Sequence, residues 1–108
     1  MVYIHERVYK DLDLIFSGML HWEKFELSFD FIENYIDDII DECYEIAHET
    51  FHFSSQYSEH KAFGEYIYRY RRNNNTLWYI IYDTDIHGNV FINKIISNHT
   101  TQLKLVNP

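Results

Sequence analysis

The sequence predicts an α+β domain in which a short N-terminal strand and a helical hairpin pack on a C-terminal antiparallel β-meander. Three observations lead there. Apolar residues recur at helical spacing from Val8 to Ile46, the period changes to two from Glu65 onward, and the chain carries only three Gly and one Pro. With 108 residues, of which 46% are hydrophobic, the chain has the size and composition of one domain, 1–108, built around one core. No linker, repeat or low-complexity segment divides it.

Val2 to Ile4 reads as a short extended start. Val8, Leu12, Ile15 and Met19 follow at intervals of four, three and four, which marks one stripe of a helix expected from about Glu6 to about Phe16, with Ser17-Gly18 as a break. From Phe25 the series Phe25, Phe29, Ile32, Ile36, Ile39, Cys43 and Ile46 alternates intervals of four and three, while Glu26, Asp30, Glu33, Asp37, Asp41 and Glu45 fall on the opposite side. This second helix is the clearest element. Three heptads with many apolar residues outside the stripe favour packing on a sheet over a coiled coil.

From Glu65 the composition turns to Tyr, Ile, Val and Trp. Glu65 to Arg72, Leu77 to Asp83 and Val90 to Asn98 read as strands, separated by turns at Asn73-Asn74-Asn75 and around His87-Gly88-Asn89. Alternation puts Tyr66, Tyr68, Tyr70 and Arg72 on one face and Glu65, Ile67, Arg69 and Arg71 on the other, unless a bulge exchanges them. Two helices alone leave much of each stripe wet, so both are expected on one sheet face, with the other open to a partner or substrate.

Charge is uneven along the chain. Residues 1–59 hold 14 acids against Arg7, Lys10 and Lys24, whereas residues 60–108 hold Lys61, Arg69, Arg71, Arg72, Lys94 and Lys104 against Glu65, Asp83 and Asp85. The total of −8 argues against nonspecific nucleic-acid binding and leaves one phosphate-sized basic zone in the C-terminal half. The acids of the second helix read as a solvated outer face, or as a surface for a basic partner. No apolar stretch reaches the roughly 18–20 residues of a membrane span and the N-terminus has no signal-peptide core, so a cytoplasmic protein without membrane attachment is expected. The single cysteine, Cys43, lies in the apolar stripe and is expected to be a buried structural thiol. Two glycosylation sequons, at Asn74 and Asn98, carry no meaning without secretion.

The segment Gly64-Glu65-Tyr66-Ile67-Tyr68-Arg69-Tyr70-Arg71-Arg72 resembles the second strand of the RelE/ParE toxin superfamily, the plasmid stabilisation family of type II toxin–antitoxin modules, in which a Gly precedes alternating apolar residues and arginines. Trp78-Tyr79-Ile80-Ile81-Tyr82-Asp83 is similar to that family's third strand, Val90 to His99 to its fourth, and Val8 to Ile15 to its first helix. The resemblance covers nearly the whole chain and implies a toxin neutralised by a cognate antitoxin protein. Its target is then either mRNA on the ribosome, cleaved without a metal by an mRNA interferase, or DNA gyrase. No cofactor is implied, and a homodimer is left open. If the chain is an enzyme, it is a metal-independent endoribonuclease.

Such RNA cleavage needs a base for the ribose 2′-hydroxyl, cations for the charged transition state and an acid for the leaving oxygen. By the resemblance, Arg69, Arg71 and Arg72 supply cations, since guanidinium grips phosphate bidentately, and His99 is the acid or base. Lys61, Tyr82 and Lys94 are the expected substrate-binding groups, with Tyr82 stacking on a base. The chain differs from the nuclease pattern in its acidic balance, in Trp78 and Tyr79 at positions where several nucleases have a basic residue, and in a tail without tyrosine. Structural roles are the alternative: Arg69 and Arg71 pairing with acids of the second helix, and His99 capping a strand end.

A competing motif is His48-Glu49-Thr50-Phe51-His52, which spells H-E-x-x-H. On a helix it places two imidazoles one turn apart with a glutamate beside them, as in zinc peptidases. The metal reading takes His48, His52 and His60 as ligands, with Glu65 as the alternative third. The continuation of that motif is missing, since Ser55 and Ser58 stand where a glycine and a third histidine belong, and two partly exposed histidines at a helix C-terminus is the plainer alternative. A noncatalytic protein-interaction domain on the same scaffold is the third reading.

Overall fold

The structure is a computed structural model that describes residues 1–21 and 27–98. Strand β1 (Val2–Ile4) leads into helix α1 (Glu6–Leu20), followed by helix α2 (Phe29–Glu45) and a single 3-10 turn over Ile46–His48. A two-residue strand β2 (Phe53–Ser54) and a one-turn helix α3 (Ser58–Lys61) precede strands β3 (Tyr66–Arg71), β4 (Leu77–Thr84) and β5 (Val90–Ser97). The strands form one five-stranded sheet in the order β1-β5-β4-β3-β2, with β1 parallel to β5 and every other pair antiparallel. The α+β class and the meander are therefore as expected.

Local chemistry explains the boundaries. The His5 ring accepts from the Arg7 amide at 2.9 Å at the start of α1, and Ser28 Oγ accepts from the Phe31 amide at 3.1 Å at the start of α2. One expectation is corrected: α1 does not stop near Phe16 but continues through Ser17-Gly18 to Leu20. A mid-helix glycine weakens a helix by only about 1 kcal/mol relative to alanine, and Met19 still packs on the core beyond it. The helix ends where both the amide and the ring Nδ1 of His21 reach the Ser17 carbonyl, at 3.1 and 2.9 Å. Phe25 and Glu26, the start of the second expected stripe, lie outside the described residues.

The core lies between the helices and the inner sheet face. Val8 and Leu12 of α1 and Ile39 and Cys43 of α2 pack against Ile80, Tyr82, Ile92 and Ile95. Each fully buried aliphatic side chain stabilises the fold by roughly 1.5–3 kcal/mol, so truncating Ile39 or Ile80 to alanine removes a substantial share of the stability. Burial, reinforced by Glu42, pushes the Cys43 thiol up to about 12, which keeps it protonated and matches its structural reading. Trp78 and Tyr35 join sheet and helix through an indole-to-hydroxyl hydrogen bond of 2.9 Å.

Between the pairs Ile81–Lys94 and Tyr82–Ile92 the register shifts, which makes Asn93 the extra residue of a bulge in β5. The bulge keeps Ile92 and Ile95 on the inner face although they are three residues apart. Beyond the short β1, the free edge of β5 is closed by Asp11 of α1, whose carboxylate accepts from the Ile95 amide at 3.2 Å and from Lys94 Nζ at 2.7 Å. The inner and outer sets of β3 follow the expected alternation, since Tyr66, Tyr68 and Tyr70 pack on the core.

The outer sheet face is not fully open, which corrects a second expectation. Residues 55–64, including α3, lie over it, and Tyr57 and Phe63 pack on Ile81, Ile96 and Tyr79. Sequence periodicity missed this cover because α3 is one turn long and β2 has two residues. Among the described residues no helix is long and apolar enough to cross a membrane.

Candidate functional site

Strand β3 carries the arginines, and its two sides treat them differently. Arg69 and Arg71 point outward opposite Tyr79 and Leu77, and both are exposed. Neither enters an ion pair with a described residue, although Arg71 donates to the Asn74 carbonyl at 3.5 Å. Arg72, one residue past the strand, is instead held inward. It pairs with Asp38 of α2, donates to the Tyr70 hydroxyl at 3.1 Å and lies 4.5 Å from the ring centre of Tyr35. The expected pairing with helix acids thus falls on Arg72 and not on Arg69 or Arg71. As β2 pairs only with Tyr66 and Ile67, the outer edge of β3 from Tyr68 to Arg71 has no strand neighbour among the described residues.

The remaining candidates are dispersed. Tyr82, expected to stack on a base, is buried at 1% exposure on the inner face, where its hydroxyl is hydrogen-bonded to His52 Nδ1 at 2.6 Å. Burial, with Glu49 and Tyr66 nearby, pushes that hydroxyl up to about 12, so it keeps its proton. A ring in the core offers no face to a nucleobase. Lys94 is held by Asp11 and sits 5.3 Å from the ring centre of Phe63, which Arg7 approaches at 5.1 Å. Lys61 is exposed on α3, at the rim of a cavity shared with Ser55, Gly64 and Asp83. His99 lies outside the described residues.

The three histidines of the metal reading are not brought together. Helix α2 ends at Glu45, His48 closes the 3-10 turn, and His52 lies outside any helix, so H-E-x-x-H spans no continuous helix. His52 is on the inner side beside Tyr82 and Tyr66, whereas His60 lies over the outer face beside Tyr57 and Tyr79. Among the described residues no three His, Cys, Asp or Glu side chains are grouped to hold an ion. His60 is wholly buried, neither ring nitrogen has a hydrogen-bond partner among the described residues, and burial together with the nearby Arg69 lowers its pKa.

Sequence reasoning missed a cluster at the edge of the sheet. Phe51 and Phe53 are 65% and 59% exposed, with ring centres 4.8 Å apart at 69°. With Glu49, Tyr68 and Arg69 they line a cavity of about 150 Å³. The signal was the aromatic alternation Phe51-His52-Phe53, which the H-E-x-x-H spelling overlaid. No protein-family model, curated protein or solved structure matches the chain.

Proposed function

We propose that the chain is the toxin-like component of a type II toxin–antitoxin module on a RelE/ParE-like scaffold, working through a macromolecular target and neutralised by a cognate antitoxin protein. The observation that carries this reading is the pair Arg69 and Arg71, exposed on one side of β3 beside an open strand edge, with no ion pair to a described residue. Unpaired guanidinium groups at alternate strand positions suit phosphate or carboxylate groups of a partner. The element order and the Gly64-to-Arg72 pattern support the same reading. A cytoplasmic location goes with it.

Binding is better supported than cleavage. Of the groups named for RNA cleavage, Arg72 and Lys94 are engaged in ion pairs and Tyr82 is in the core, which among the described residues leaves Arg69, Arg71 and Lys61 for a substrate, His99 lying outside them. A noncatalytic interaction domain is thus the second reading, favoured by the exposed Phe51 and Phe53 at the sheet edge. Induction of the gene alone separates the two. Growth arrest relieved by coexpressing the adjacent small reading frame supports the toxin, and mRNA cut sites mapped during arrest identify the nuclease branch. Normal growth overturns the toxin reading and leaves the interaction domain.

A further inference from the structure

We infer that the cavity walled by Phe51, Phe53 and Tyr68, with Glu49 at its side, is a binding site for an alkylammonium group, either a free organic cation or a methylated or unmodified lysine side chain of a partner. Two aromatic rings meeting at 69° make a corner of π-faces, and Tyr68 supplies a third ring. Aromatic faces attract weakly hydrated organic cations through the ring quadrupole. A volume of about 150 Å³ holds several times the roughly 30 Å³ of one water, enough for a compact head group.

Charge selects a cation over a neutral apolar group. Tyr68 donates to Glu42 Oε2 at 2.8 Å in the last turn of α2, a turn without a basic residue. The phenol of Tyr68 is raised by burial and then by Glu42, Glu49 and Glu45, so three carboxylates act on its hydroxyl, and of these Glu49 lines the cavity. Arg69 also lines the cavity and opposes that field from the other side of the charge balance. The Glu49 carboxylate forms no ion pair with a described residue and is available to the ligand. This inference does not rest on the toxin reading: it uses the aromatic edge, shares only Arg69 with that reading and involves neither Arg71 nor any cleavage step.

The test is titration of the full chain, followed by Phe51 and Phe53 ring resonances in NMR, with tetramethylammonium, with a trimethyl-lysine peptide, and with the same peptide carrying the uncharged tert-butyl isostere. Both cations are expected to shift these resonances saturably, and the isostere to bind ~10-fold or more weakly, because the cation–π and Glu49 contributions vanish with the charge. Phe53→Ala should abolish binding and Phe53→Trp restore it, and Glu49→Gln should weaken the cations but not the isostere. Tighter binding of the peptide than of tetramethylammonium assigns the site to a partner's lysine, and equal binding to a free cation. Equal affinity for cation and isostere, or no saturable shift with any probe, overturns the inference. Both phenylalanines are exposed, so the variants should retain the wild-type far-ultraviolet circular dichroism.

Discussion

Arg72 and Asp38 form an ion pair that ties the end of β3 to α2, and the same guanidinium stacks over Tyr35, whose hydroxyl holds the Trp78 indole. Arg72 is therefore part of the scaffold. Arg72→Ala should lower the stability by about 1–2 kcal/mol, combining a half-exposed ion pair with a cation–π contact. Arg72→Lys should recover only part, because an ammonium lacks the planar stacking surface. Urea unfolding of the three proteins checks this; an alanine variant as stable as wild type would contradict it.

Asp11 closes the β5 edge, and its two acceptor roles are separable. Asp11→Ala leaves a half-buried Lys94 and the Ile95 amide without a partner, and should lower stability by roughly 2–4 kcal/mol. Asp11→Asn retains an acceptor for the amide and should lower it less. In hydrogen exchange the Ile95 amide should be protected in wild type, weakly affected in the asparagine variant and fast in the alanine variant. Equal protection in all three would show that α1 does not cap this edge.

His60 gives the fold a pH dependence. Burial first, and Arg69 second, hold its pKa below the unfolded value near 6.5, so the unfolded chain binds the proton more readily. Stability is then fully present above pH 6.5 and falls as the pH drops toward the lower folded value, with a slope of about 1.4 kcal/mol per pH unit for one proton. His60→Phe should remove this contribution and flatten stability against pH across that window. Parallel curves for the two proteins would place the protonation elsewhere.

Much of this architecture was legible because it rests on long periodic signals. The stripe from Ile32 to Ile46 and the alternating runs from Tyr66 to Ser97 each bury one face, and burial writes itself into residue order. The site was less legible. Alternation located Arg69, Arg71 and Arg72 on their proper sides, yet it did not show that Asp38 engages the last of them, since that contact joins residues 34 positions apart. Tyr82 was misjudged because a tyrosine in an alternating strand serves equally as core or surface, and only the arrival of His52 from the chain after α2 decides it. The segment from Glu49 to Gly64 was opaque for a physical reason: its two-residue strand and one-turn helix are set by contacts with the sheet and not by their own periodicity.

Gly64 marks where that segment rejoins the sheet. A Cβ there would stand 2.9 Å from the Tyr82 carbonyl oxygen and 3.0 Å from Ile81 Cγ2, and the carbonyl belongs to a paired strand that cannot yield freely. Gly64→Ala should lower stability by about 1–3 kcal/mol, the range for overpacking. Thermal unfolding measures it, and an unchanged midpoint would mean that β4 shifts without strain.

The central claim is that Arg69 and Arg71, and not the engaged Arg72, meet the target. Growth after induction of wild type and of the Arg69→Ala/Arg71→Ala double variant, with the folded stability of both purified proteins measured in parallel, tests it most directly. The account predicts arrest with wild type and normal growth with the double variant at near-unchanged stability, as both side chains are exposed. Arrest that persists with the double variant, or no arrest with wild type, would contradict it.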